Sequence, residues 1–307
     1  MKKCFLSINW IAVAVLAMVV AAVAVGCATV AQVGTAVGQA TGVITQEQAD
    51  SINRGAAAVE KTFQDITPEQ EYYLGRSVAA TILKAYNVYE NDAATHYLNV
   101  LGQTLALASD KPETFGGYHF AILDTDEINA FAAPGGLIMI SRGMIRCCTT
   151  EDALAAVLAH EVGHVENQHG LKAIRKGRLT SALTILALES AKQLGGENLA
   201  EVTKAFEGSI SDITATLMNN GYSRKTEYEA DRSAVKVMNR VGYDPEALVD
   251  MLHEMKKNLK PGGLDFAKTH PDPNVRIAEL RKVIGPAGKV DVVPARQRRF
   301  EKAVGGI

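Results

Sequence analysis

The sequence predicts an α+β fold, mainly helical with one small, mostly antiparallel β-sheet. Three observations predict it. Helix-start signals recur along most of the 307 residues. Strand-like sequence is confined to the stretch from Tyr118 to Ser141. Directly after it, His160-Glu161-Val162-Gly163-His164 sits in a stretch that reads as helix from Glu151 to about His169.

In chain order, the N-terminus reads as a targeting segment. Lys2 and Lys3 precede an unbroken apolar run from Trp10 to Val25, shorter than the roughly 20 residues that span a bilayer. The run ends in Ala24-Val25-Gly26-Cys27, which resembles the lipobox of bacterial lipoproteins, with Ala24 where leucine is more usual. That resemblance implies removal of a signal peptide, residues 1–26, and acylation of Cys27. The rival readings are an uncleaved membrane anchor and a plain signal peptide. Either a lipid or an anchor tethers the protein to a membrane, outside the cytoplasm. By analogy with lipoprotein sorting in enteric bacteria, Ala28 after the cysteine, in place of an acid, favours the outer membrane.

Residues 27–66 read as a tether, rich in Ala, Gly, Val, Thr and Gln to about Gly42, and then a helix from Thr45 to about Phe63. A second capping box, Thr67-Pro68-Glu69-Gln70, opens a helix to about Ala85, and another helix runs from Asp92 to about Ala108. Tyr118–Leu123 is strand-like, and Ile128–Ala133 and Leu137–Ser141 flank the turn residues Pro134-Gly135-Gly136, so they look like hairpin strands. This hairpin either offers a free edge to an extended substrate or only packs the core. Thr150 caps the central helix, with Glu151 and Asp152 favourable to its N-terminal dipole. Helical stretches follow from Leu171 to Leu194, Asn198 to Met218 and Ser223 to Val241, and Asp244-Pro245 and Asp272-Pro273 each start one more. The expected catalytic domain is 67–285, with a tail at 286–307.

Composition narrows the function. The chain carries 32 basic and 34 acidic residues and no basic stripe interleaved with aromatics, so nucleic acid is not an expected partner. Cys147 and Cys148 are adjacent, too close for an unstrained disulfide, and the expected state is free or transiently paired thiols.

The chemistry lies in the His-Glu-x-x-His run. Residues four apart share a helix face, so His160 and His164 aim two imidazoles at one point, with Glu161 alongside. That is the arrangement of a zinc hydrolase: two nitrogen ligands and a carboxylate that activates water. Ala153, Val157, His160 and His164 continue one apolar stripe, so the histidines face inward. A catalytic zinc needs a third ligand. A histidine six residues after His164 would serve, but that position is Gly170, and His169 is one residue off and expected to point away. The alternative is a glutamate on a second helix. Glu227, Asp231, Ala234 and Met238 form a stripe that turns apolar, whereas Glu229, Ser233, Lys236 and Arg240 form one that is polar throughout. Glu227 is therefore the expected ligand, Glu229 should face water, and Asp231 can hydrogen-bond a ligating imidazole.

His160-Glu161-Val162-Gly163-His164 together with Glu227-x-Glu229-Ala230-Asp231 resembles peptidase family M48, the gluzincins that include HtpX-like and CAAX prenyl endopeptidases. The resemblance runs from about Thr67 to Ile284. It takes in Asn129-Ala130-Phe131-Ala132, Pro134-Gly135-Gly136 and the late elements Thr269-His270-Pro271 and Arg276-Ile277. It implies a zincin-type domain, one zinc ion on His160, His164 and Glu227, Glu161 as base, and Asp231 as a supporting acid. His270 resembles a residue that approaches the metal and can block it, and Arg276 one that stabilises the oxyanion. Multiple membrane spans, present in the prenyl-protease and HtpX relatives, have no counterpart after the N-terminal run. The expected function is hydrolysis of protein or peptide substrates at the periplasmic face of a membrane. The second reading is an outer-membrane assembly chaperone or scaffold with a latent zinc site; a structural zinc protein, with His270 as fourth ligand, is the third.

Overall fold

The computed structural model describes residues 28–42, 66–173, 221–258, 272–286 and 292–307, with isolated residues such as Thr214, Met218 and His270 besides. The signal segment, Cys27, and most of the helices expected at 45–63, 171–194 and 198–218 lie outside the described residues. Two compact units are distinguished: residues 1–65 with 174–209, and residues 66–173 with 210–307.

In the first unit, the stretch expected to be a tether is a helix, α1 (Ala28–Ala40). Its alanines favour helix, and the chain leaves it at Gly42, whose φ of 71° is the left-handed conformation that ends helices. Thr35 is buried and hydrogen-bonds Asn53 at 2.9 Å, an anchor that sequence composition does not reveal.

The second unit carries the chemistry. It begins with α2 (Pro68–Ala85), started by the expected capping box: Thr67 accepts from the Gln70 amide, and the Gln70 side chain accepts from the Thr67 amide. Next come α3 (Asp92–Leu107), capped by Asn91, and the strands β1 (His119–Leu123), β2 (Ala130–Ala133) and β3 (Leu137–Ser141). The sheet is mixed, in the order β1-β3-β2. β2 and β3 form the expected antiparallel hairpin, from Ala130 opposite Ile140 to Ala133 opposite Leu137. β1 runs parallel to β3, from His119 beside Leu137 to Leu123 beside Ser141. The β2–β3 turn, Pro134–Gly136, needs both glycines: Gly135 and Gly136 have φ of 77° and 92°. The buried Glu71 carboxylate ties this turn to α2 by accepting from the Gly135 amide at 3.2 Å, and Lys111 neutralises it at 2.9 Å.

Both faces of the sheet are covered, with side chains alternating between them. Phe120, Ile122, Ala130, Ala132, Ile138 and Ile140 face the main core, whereas Leu123, Phe131, Ala133 and Met139 meet Val78, Ala79 and Ile82 of α2. After the short α4 (Arg142–Cys147) comes α5 (Glu151–Glu166), where Thr150 Oγ1 accepts from the Ala153 amide at 3.1 Å. Every residue of α5 from Glu151 to Val165 is buried. The expected inward stripe is thus one part of a helix enclosed on all sides. Ser223 caps α6 (Arg224–Val241), and Gly242 ends it with a φ of 75°. α7 (Glu246–Asn258), α8 (Pro273–Ile284) and α9 (Pro294–Val304) complete the unit. α9 is a helix where sequence suggested a tail, and Phe300 and Val304 anchor it in the main core. Among the described residues, no helix is long and apolar enough to cross a membrane.

Candidate metal centre

α5 and α6 meet at Gly163. A Cβ there would lie 2.9 Å from the Ala230 carbonyl oxygen and 3.1 Å from the Ser233 Cβ, so only glycine permits this approach. The closeness carries Glu227 of α6 to the two histidines of α5. Glu227 Oε2 is 3.4 Å from His160 Nε2, Glu227 Oε1 is 3.4 Å from His164 Nε2, and the two imidazole nitrogens are 3.1 Å apart. His270, just before α8, adds a third ring, with Nδ1 2.6 Å from Glu227 Oε2. Donor atoms of these four buried residues all lie within 4.8 Å of one another.

The far sides of the histidines are held differently. His160 Nδ1 lies 2.9 Å from Asp231 Oδ1, one turn along α6 from Glu227. Asp231 is gripped in turn by Arg276 of α8, through Nε at 2.9 Å and Nη2 at 2.5 Å. Burial alone would raise the Asp231 carboxyl; the Arg276 guanidinium and His160 hold it below its ordinary value. Arg276 is itself fully buried, and its Nη1 stands 3.9 Å from Glu227 Oε2. On the other side, His164 Nδ1 faces His169 Nδ1 at 2.9 Å, and the Tyr222 ring stacks on the His164 ring at 4.3 Å.

The residues fit a metal ion. Two imidazoles and one carboxylate are the donor set of a hydrolytic zinc site. Glu227 Oε1 is buried and makes no hydrogen bond among the described residues, an uncompensated position for a carboxylate oxygen unless a cation faces it. Glu161 Oε1 is buried and unbonded in the same way. Burial pushes the Glu161 carboxyl up to about 7, tempered by His160. Glu161, Tyr222 and His270 line a cleft of about 350 Å³, counted to its open mouth, whose other walls are β2 and Val78 and Ile82 of α2.

The family profile for peptidase family M48 matches residues 92–284, more than half of the chain. The chain belongs to peptidase family M48. Zinc is the metal of this family. The chain is 27% identical over 214 residues to the beta-barrel assembly-enhancing protease of Escherichia coli (strain K12), covering 69% of this chain and 43% of that protein. It is 32% identical over 160 residues to the mitochondrial metalloendopeptidase OMA1 of Schizosaccharomyces pombe, covering 50% and 43%. With a protease HtpX homolog of Salinibacter ruber it shares 26% over 193 residues, covering 54% and 68%. The chain thus spans less than half the length of the first two.

Within this M48 domain the structure brings His160, His164, Glu227 and His270 into one cluster, sets Glu161 beside it, and places Asp231 and Arg276 behind His160. Two expectations need correction. The central helix stops at Glu166, not at about His169, because Asn167 closes it and Gln168 turns left-handed at φ 54°. That turn swings His169 back into the interior, onto His164. The polar stripe of α6 does not all face water: Ser233 is buried and bonds Glu166 at 3.0 Å and Asn167 at 2.9 Å, and Glu229 reaches His169 at 3.2 Å. Only its far members, Lys236 and Arg240, are exposed. Tyr222 is a neighbour that the sequence reading missed; its one signal was an aromatic residue directly before the helix cap.

Proposed function

We propose that this M48 protein is a zinc endopeptidase that hydrolyses peptide bonds of envelope proteins. Its lipidated Cys27 would hold it at the periplasmic face of a bacterial outer membrane. The observation that carries the hydrolytic reading is Glu161: a fully buried carboxylate with an unbonded oxygen, beside a three-donor metal centre and lining a cleft.

In this reading His160, His164 and Glu227 hold one zinc ion. When bound, zinc polarises the scissile carbonyl and brings the ionisation of water close to neutral pH. Glu161 removes a proton from the attacking water and delivers it to the leaving amine; burial, which disfavours its charged form, makes it a stronger base than an exposed glutamate. Asp231 accepts the Nδ1–H of His160 and leaves Nε2 its lone pair, and Arg276 keeps Asp231 ionised and oriented. The family resemblance gives Arg276 to the oxyanion and makes His270 a residue that approaches the metal and can block it. His270 is the donor that must withdraw from Glu227 for substrate to approach; a fourth permanent protein ligand would make the site structural.

The substrate reading rests on β2. It is an edge strand of the sheet, it lines the cleft, and its Ala132 carbonyl accepts a long 3.4 Å hydrogen bond from Tyr222. An extended peptide can pair with that edge through its backbone, with little demand on side chains. The name of the Escherichia coli relative supports a role in beta-barrel assembly. A pure scaffold has no use for Glu161, so the peptidase reading is preferred.

The test compares the purified full-length protein with its Glu161→Gln variant, assaying casein cleavage and zinc content. Proteomics of the envelope from cells carrying each form then identifies fragments that vanish in the variant. Casein cleavage lost with zinc retained is the expected result. Undiminished cleavage by Glu161→Gln excludes the proposed base, and an envelope assembly role that survives the substitution supports the scaffold instead.

A further inference from the structure

The two zinc-facing histidines are backed by different devices, and the second is not part of the roles assigned above. His160 meets a carboxylate directly, Asp231 Oδ1 at 2.9 Å. His164 meets another imidazole: its Nδ1 lies 2.9 Å from Nδ1 of the buried His169, and His169 Nε2 lies 3.2 Å from Glu229 Oε2. We propose that His169 and Glu229 form a relay that fixes the tautomer of His164 and so sets the zinc affinity of the centre. The inference rests on the zinc reading above.

The protons in this chain can be placed by donor and acceptor rules alone. A carboxylate only accepts, so the hydrogen on His169 must sit on Nε2, facing Glu229. A neutral imidazole carries one N–H, so His169 Nδ1 is then an acceptor. It can accept only from His164, whose hydrogen therefore sits on Nδ1. That leaves the lone pair of His164 on Nε2, the nitrogen 3.4 Å from Glu227 Oε1 and 3.1 Å from His160 Nε2. In the opposite arrangement, His169 Nδ1 donates to His164. Glu229 would then lose its donor, and an N–H would point into the centre where a lone pair is needed. The carboxylate at the rim thus selects, two rings away, the form of His164 that can ligate.

The surroundings hold the relay in place. The left-handed Gln168 aims His169 inward, and the Tyr222 ring covers the His164 face at 4.3 Å. His169 is buried, whereas Glu229 is partly exposed, with 26% of its side chain accessible, so the relay runs from the centre to the protein's surface.

His169 is a positioning residue, and its test is zinc affinity. The full-length protein, stripped and reloaded, is titrated with zinc against a chromogenic chelator. His169→Phe keeps a ring of similar size but offers no acceptor; it should bind zinc about 10–100-fold more weakly. His169→Gln can accept from His164 through its amide oxygen and donate to Glu229 through its amide nitrogen, so it should recover most of that loss. Glu229→Ala should weaken binding in the same direction. Wild-type affinity in His169→Phe, or a loss in His169→Gln equal to that in His169→Phe, overturns the relay; wild-type affinity in Glu229→Ala overturns the carboxylate's part in it. His164→Ala, run alongside, separates the two readings: zinc retained there sinks the zinc site itself. Zinc lost there but held normally by His169→Phe sinks the relay alone.

Discussion

The two ends of α5 carry buried charge in opposite ways. At the N-terminal end, the buried Glu151 is fully answered. Tyr97 donates to one oxygen at 2.9 Å, Tyr243 donates to the other at 2.7 Å, and Arg299 of α9 forks both. Asp152 beside it accepts from the Asp244 amide and from Arg296, each at 3.1 Å, and the Arg296 guanidinium lies 4.2 Å above the Tyr243 ring. At the C-terminal end, Glu161 Oε1 and the facing Glu227 Oε1 are as deeply buried but make no hydrogen bond among the described residues. One helix therefore holds a closed charge cluster and an open one. The difference teaches where to look for chemistry: burial of acids is common to both ends, and unanswered acceptors mark the end that awaits a cation and a proton. The closed end should carry stability and the open end activity, a division that can be attacked from either side.

The largest effect is expected at the open end. Glu161→Gln removes the base while keeping shape, and should lower kcat by about 10³-fold, the scale of a lost general base. Zinc content and the unfolding midpoint should stay near wild type. A large loss of stability would show that Glu161 belongs with the structural acids and would erase the contrast between the ends.

Next in size is Gly163, which acts on the open end through packing. Gly163→Val must push the Ala230 backbone away from α5, and with it Glu227, one turn earlier on α6. Overpacking of this kind costs about 1–3 kcal/mol. Zinc affinity should fall together with stability, measured by chelator competition and by denaturation. Zinc binding at full strength would show that the helix pair can part without moving the third ligand.

At the closed end, Arg299→Ala should reduce stability by about 2 kcal/mol. That is less than the roughly 3–5 kcal/mol of a fully buried pair, because the arginine side chain is 55% exposed and water can take its place. Zinc affinity and casein cleavage per folded molecule should not change. Loss of zinc in this variant would join the two ends into one network.

How much of this was legible in the sequence follows the same division. His160, His164 and Glu227 could be read because each obeys a short-range rule: a gap of four on one helix, and an inward register on the next. The capping boxes and the Pro-Gly-Gly turn were legible for the same reason, since cap and turn chemistry is local. The relay was not. His169 was placed on a continuing helix, and one left-handed residue, Gln168, redirected it. Register alone put Glu229 and Ser233 in water, because that stripe holds no apolar residue to announce a buried polar contact. The closed cluster was invisible because Arg299 lies 148 residues from Glu151 and α9 has no strong apolar run to betray its docking. The α1 helix escaped notice because its composition is that of a linker as much as that of a helix.

The smallest effect tests whether the two ends are mechanically independent. Thr150 Oγ1 accepts from the Ala153 amide and closes the first turn of α5, next to Glu151. Thr150→Ala leaves that amide without its partner and should cost about 1 kcal/mol, the usual worth of an N-cap. His160 is ten residues further along, roughly 15 Å at about 1.5 Å per residue. The helix between is enclosed on every side, so fraying of its first turn has no route by which to bend the part that carries the histidines. The denaturation midpoint should therefore fall slightly, while zinc affinity and cleavage rate stay unchanged. If the variant instead lost zinc in step with stability, α5 would be responding as one lever, and the closed cluster would count as part of the metal centre.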